Sequence, residues 1–180
     1  LVFIISVTLC FGISSLIVTE SQKNYEYEQV YVQIGADIKI QTGMEQDDTF
    51  QDNLFNFSED IKEIASITSY SGYILGLNNL RVQIHELNPL SYLNVSTLKN
   101  NYAPSEDPAD LLKSLQASTN GTLISQTWGE KFGFEKGEHI FLTFSFNDGT
   151  TQTTQLKIIG YLEILPGVAF LNGLSAGSII

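Results

Sequence analysis

The chain has 180 residues, 43% of them hydrophobic and 11% aromatic. That is enough to bury a core, as one domain or two small subdomains, and too apolar for a disordered chain. Its 20 acidic and 9 basic residues give a net charge of −11, which repels nucleic acid and anionic lipid head groups, so the composition argues against a nucleic-acid partner.

The first segment, 1–19, contains no charged residue and is dominated by Leu, Ile, Val and Phe. As a helix it would extend roughly 28 Å, close to the hydrocarbon thickness of a bilayer. A signal-peptide core is shorter, about 7–15 residues, and follows a charged region. The segment is therefore expected to be a transmembrane helix, with the lipid bilayer as its partner. The chain lacks an initiator methionine, so it is read as part of a longer protein whose N-terminal flank lies elsewhere. Without that flank, orientation cannot be taken from Lys and Arg. The single cysteine, Cys10, falls inside this run and leaves no intramolecular disulfide.

Residues 20–33 form a polar connector rich in tyrosine, with Tyr25, Tyr27 and Tyr31. Aromatics placed there either sit at the membrane interface or pack on the domain. Next, Ile34, Ile38 and Ile40 alternate as in a half-buried strand, expected over 34–41. From Thr42 to Phe57 the chain reads as a solvated acidic loop with Glu45, Asp47, Asp48 and Asp52. Its spacing does not match a calcium loop of the EF-hand kind. Ser58 followed by Glu59 and Asp60 predicts a capped helix over 58–66, with Ile61, Ile64 and Ala65 on its buried stripe.

Strands are expected over 68–76 and 80–87, the second with Leu80, Val82 and Ile84 on one face. His85 then falls on the opposite face as a surface or edge histidine, like His139, and neither has metal-ligand neighbours at ligand spacing. Asp107-Pro108-Ala109-Asp110 is a strong helix start, placing a helix over 108–118 with Leu111, Leu112 and Leu115 inward. Ser125 opens a short helix over 125–132, with Trp128 and Phe132 on one face and Gly133 as its stop. Period-two alternation then predicts strands over 139–146 and 153–163. Ile140, Leu142, Phe144 and Phe146 share the core face with Leu156, Ile158 and Leu162. Asn147-Asp148-Gly149 joins them as a hairpin turn. The closing run, 168–180, spaces Gly173 and Gly177 like a membrane dimer motif. It is short and contains Asn172, so a strand or loop is expected there. The fold class is therefore α+β, a mixed domain over 34–180 with a long β-hairpin subdomain about 122–163, preceded by one transmembrane helix.

Several landmarks occur in a telling order. Gly35-Ala36-Asp37 follows the apolar run, and Asn88-Pro89 precedes Tyr92. A short helix ends in Phe132-Gly133 and is followed by Phe134 and the turn Lys136-Gly137-Glu138. Pro166-Gly167 follows the second long strand. The ordered set resembles the extracytoplasmic, MacB-like periplasmic core domain of FtsX-like and MacB-like ABC transporter permeases; the family more often has an aspartate where this chain has Asn88. The resemblance implies a membrane protein whose domain lies outside the membrane, between the first and second membrane helices of the permease. It further implies as partners a separate cytoplasmic ABC ATPase subunit and a second permease copy or homologue. Such proteins export substrates, handle lipoproteins or regulate cell-wall hydrolases. A different reading is a membrane-anchored extracellular binding or adhesion module with a single helix. An ectoenzyme is a third.

The sequence shows no Walker A loop, dinucleotide fingerprint or nucleophile elbow. Two histidines leave little room for a triad, and the acidic pairs Glu45/Asp48 and Glu106/Asp110 read as surface carboxylates rather than general acid–base pairs. No enzymatic activity, cofactor or metal is expected of this chain. Sequons begin at Asn56, Asn94 and Asn120 and matter only outside a cell that glycosylates.

Overall fold

Helix α1, Val2–Ile34, runs for 33 residues, about 50 Å, without a glycine or proline after Gly12. It stops at Gly35, whose φ of 78° no β-carbon-bearing residue adopts readily and whose N–H closes the last turn on the Tyr31 carbonyl at 2.7 Å. The structure, a computed structural model, describes residues 2–42, 48–77, 80–145, 150–168 and 178–179, with side chains in α1 described from Gly12 onward. The helix thus continues through the segment expected as a connector. It also overrides the strand expected over 34–41: Ile34 is its last residue, and Ile38 and Ile40 are exposed in irregular chain. Most of the expected span over 1–19 rests on side chains outside those described. Among the described residues, no helix is long and apolar enough to cross a membrane.

Helix α2 spans Asp48–Phe57, inside the expected acidic loop, while Glu45 and Asp47 lie outside the described residues. The helix expected over 58–66 does not form. Ser58 instead closes a tight turn, its Oγ accepting from the Asp60 N–H at 3.2 Å and its carbonyl from the Ile61 N–H at 3.3 Å. Ala65 already packs in the core beside Ile67, the first residue of the next strand, so the segment is drawn out to feed that strand.

Strands β1 (Ile67–Ile74) and β2 (Leu80–Leu87) pair antiparallel from Ile67↔Leu87 to Ile74↔Leu80. Helix α3 (Pro89–Val95) starts on Asn88, whose Oδ1 accepts from the Leu90 and Ser91 N–H groups. Helix α4 (Pro108–Gln116) starts on Asp107 in the same way, with proline at its first position. Strand β3, Gly121–Ile124, was not expected; it lies parallel to β5 (Thr151–Tyr161). Helix α5, Gln126–Phe132, is capped by Ser125 and ended by Gly133 at φ 73°. Strands β4 (His139–Ser145) and β5 pair antiparallel from His139↔Lys157 to Ser145↔Thr151. Phe146 and the turn residues Asn147 to Gly149 lie outside the described residues.

Strand β4 also pairs with β1, which curls the sheet into a small barrel in the order β1-β2-β6-β3-β5-β4. Among the described residues, strand β6, Ser178–Ile179, alone bridges β2 and β3. Asn172, Gly173 and Gly177 are outside the described residues. The domain is therefore α+β, as expected, with two apolar cores. One fills the barrel: Ile74, Val82, Ile84, Ile140, Leu142 and Ile158, with Trp128 of α5 plugging one side. The other lies between the barrel wall and α3 and α4, around Tyr92, Leu111, Leu112, Leu123 and Leu165, and it takes in Val32 of α1.

Candidate functional site

The last turn of α1 is built into the domain rather than tethered to it. Its glycine stop brings the chain against Pro166-Gly167, the segment leaving β5. The Gly167 N–H donates to the Val32 carbonyl at 2.8 Å. The Lys39 ammonium donates to the Gly167 carbonyl at 2.8 Å and to the Gln33 carbonyl at 3.3 Å. A carbonyl that lost its intrahelical partner at the helix end thus gains one from the segment leaving β5. From α3, Ser96 Oγ donates to the Gly35 carbonyl at 2.9 Å, and the buried Tyr92 hydroxyl donates to the Pro166 carbonyl at 2.8 Å. Burial pushes the Tyr92 phenol well above its usual range, so it stays a donor at any ordinary pH. Beyond α3, the Thr97 N–H donates to the Tyr31 hydroxyl and Lys99 pairs with Glu28.

No side chain separates Gly35 from Gly167. A β-carbon on Gly35 would stand 2.6 Å from Gly167 N and 2.6 Å from the Pro166 carbonyl carbon. Both neighbours are backbone, so neither can swing aside. The end of α1 and the segment leaving β5 meet at one backbone-to-backbone contact. The same segment after β5 also reaches α5 beside the barrel. Glu163 accepts at 2.9 Å from the Thr127 N–H in the first turn of α5 and at 3.2 Å from Ser125 Oγ, while its own N–H donates to the Tyr102 carbonyl at 2.8 Å. Residues 163–168 therefore connect α1 to α3, to the 3-10 turn at Asn100–Tyr102 and to α5. Gly35 and Pro166-Gly167 were singled out in the sequence, but nothing local could show that they touch, 132 positions apart.

The other residues weighed from sequence do not converge. Glu106 pairs with Lys136, and Asp110 with Lys113 at 2.8 Å on α4, so the two carboxylates serve separate ion pairs. An open groove of 290 Å³ lies beside Glu106, lined by Asn100, Ala103 to Ser105 and Asp107. It is too open to exclude water. Among the described residues no group of three His, Cys, Asp or Glu could hold a metal ion. Asn56, Asn94 and Asn120 are exposed.

His85 corrects the expectation of a surface histidine: it is 3% exposed. Its Nδ1 lies 2.9 Å from Ser69 Oγ, its directly opposed neighbour on β1, and its Nε2 has no partner. His139 is exposed, as expected. Burial lowers the His85 pKa below 6.5, favouring the neutral ring. As pH falls below 6.5, the unfolded chain binds a proton the folded chain refuses. Stability is therefore complete above that pH and is lost as pH drops towards the folded-state pKa, by at most about 1.4 kcal/mol per pH unit from this one group. Urea denaturation at neutral and mildly acidic pH should show this slope in the parent and lose it in His85→Leu. An equal slope in both proteins would rule His85 out as its source.

Compared with known proteins, the chain matches no protein-family model and no curated sequence.

Proposed function

We propose that this chain is the first membrane helix and external domain of an ABC transporter permease subunit, with the domain standing outside the membrane. Movement driven by ATP hydrolysis on a separate ATPase subunit would reach it through the helix. The observation that carries this reading is the contact of Val32 and Gly35 with Gly167, which holds the end of α1 against the domain so that a movement of the helix would be passed on to it.

The outer part of α1 supports the same reading. Ile13, Leu16, Ile17 and Val18 are 50–72% exposed and point to several sides of the helix, so no surface among the described residues covers them. An all-round apolar helix requires another apolar medium, which a bilayer supplies. At the other end the rigid last turn suits transmission: a tilt of α1 would act on 163–168 and through Glu163 on α5, without a flexible linker to absorb it. The role is mechanical, and a second permease copy would complete the assembly.

Placing aspartate at Leu9 should cost about 2.5–3.5 kcal/mol of insertion. In a translocation assay Leu9→Asp should insert far less than the parent; equal insertion would remove the spanning helix. The wider reading is tested by expressing the complete gene with an ATP-binding subunit encoded beside it. Co-purification of the two, with ATPase activity that falls when residues 35–168 are deleted, is the expected result. A gene that ends soon after Ile180 would favour a singly anchored binding module instead.

A further inference from the structure

Strand β5 outruns its neighbour on one side. It pairs with β4 from Thr151 to Lys157, but with β3 only from Lys157 onward, where the Lys157 N–H donates to the Asn120 carbonyl at 2.7 Å. The Ile158 N–H donates to the Glu138 carbonyl at 2.8 Å on the β4 side. The alternation of an antiparallel ladder therefore sends the backbone groups of Gln152, Thr154 and Leu156 towards β4. Those of Thr151, Thr153 and Gln155 point the other way, beyond the end of β3. All three residues are exposed, and among the described residues none of their N–H or C=O groups meets a partner. Folded chains usually blunt such an edge with lysine, proline or a bulge. Here the edge runs Thr151-Gln152-Thr153-Thr154-Gln155-Leu156, with no charge, no proline and an unbroken register.

A row of unpaired N–H and C=O groups accepts one kind of occupant, another extended strand. Charge and symmetry decide which strand. With 20 acidic and 9 basic residues, two copies of this chain repel over most of their surfaces, and the uncharged edge of β5 is where they can approach. Turned about a twofold axis, the edge is also its own complement. With Thr153 opposite Thr153 of a second copy, Thr151 faces Gln155 of that copy and Gln152 faces its Thr154. This register uses every outward residue on both strands. A shift of two residues towards β3 sets Thr151 against Lys157, whose N–H already serves Asn120, and the opposite shift carries Gln155 past the start of β5. We propose that two copies of this chain join β5 to β5, antiparallel and centred on Thr153, with two backbone hydrogen bonds at each of the three outward pairs. The pairing rests on the strand registers and does not depend on how the chain is anchored.

The test uses the full chain in detergent micelles, carrying Cys10→Ser. Opposed Cα atoms at a hydrogen-bonded antiparallel pair stand about 5.5 Å apart, within reach of a disulfide. Under mild oxidation Thr153→Cys should cross-link to itself, and Thr151→Cys to Gln155→Cys when the two chains are mixed. Gln155→Cys alone should not, because the register offsets its two copies along the strands. Thr153→Pro removes an N–H that makes no bond within the chain, so circular dichroism and melting should stay those of the parent. In analytical ultracentrifugation it should weaken dimerisation by about tenfold or more. Gln155→Lys, which leaves the backbone intact, should do the same if proline disturbs the hairpin. A chain that stays monomeric overturns the proposal, as does a Thr153→Cys cross-link no faster than that of Ser105→Cys, an exposed position outside the strand. Equal self-cross-linking of Gln155→Cys and Thr153→Cys overturns the register and the proposal with it. A dimer that survives both substitutions and lacks the Thr153→Cys cross-link is held elsewhere, which sinks the strand pairing and leaves the permease reading standing.

Discussion

Trp128→Ala should lower the stability of the domain by about 3–5 kcal/mol, the usual loss when a buried tryptophan is cut back to alanine. The side chain is 8% exposed and packs in the barrel core with Ile140, Leu142 and Ile158. Its ring meets Phe132 edge-on at 4.9 Å and Phe134 at 5.7 Å, so truncation removes both ring contacts. Against a typical domain stability of about 5–15 kcal/mol, that loss unfolds a large part of the population or lowers the midpoint by many degrees. Thermal melting followed by circular dichroism reads the effect. Trp128 is the only tryptophan, so in the parent its emission should shift to the red at the same midpoint. Phe141→Ala, on the exposed face, should change the midpoint little. An unchanged midpoint in Trp128→Ala would show that α5 does not plug the barrel.

The second large effect is expected at the helix junction and is local. Gly35→Ala forces a residue with a β-carbon to φ 78° and drives that carbon to 2.6 Å from Gly167 N. The left-handed conformation costs roughly 1–2 kcal/mol and the overlap with backbone about 1–3 more, so the contact should open. The barrel core does not include Gly35, so its melting should persist. Gly76 provides the control: its φ is 87°, but nothing lies within 4 Å of an added β-carbon, so Gly76→Ala carries only the conformational part. Hydrogen exchange at the Gly167 amide should accelerate strongly in Gly35→Ala and stay slow in Gly76→Ala. Equal protection in all three proteins would mean that the junction is not held by this contact.

The parts of the fold that were legible in the sequence are those whose signals are local. Helices α4 and α5 follow from Asp107-Pro108 and from Ser125 with Gly133, and the caps hold the expected bonds. The β4–β5 pairing follows from alternation, and its core face is the expected one. Failures occur where a distant partner decides. Strand β3 is four residues long and pairs parallel with β5 at Lys157 to Tyr161, which no neighbouring residue announces. Ile34, Ile38 and Ile40 alternate like a strand, but Gly35 ends a helix that holds Ile34. Ser58 carries the residues of a helix cap and makes a turn, because Ala65 and Ile67 are held by the second core. His85 has the parity of a surface residue and is buried nonetheless; only its register with Ser69 shows the polar partner it keeps. The junction was half legible: its glycines stand out, while their contact depends on the whole fold between them.

The most direct measurement is the side of the membrane on which the domain lies. In intact cells making the complete protein with Cys10→Ser, a membrane-impermeant maleimide should label Ser105→Cys, an exposed position in the loop before α4. In the parent, Cys10 should stay unlabelled until detergent dissolves the bilayer. Labelling of Ser105→Cys only after the membrane is opened, or labelling of Cys10 in intact cells, would contradict a domain carried outside the membrane on a spanning helix.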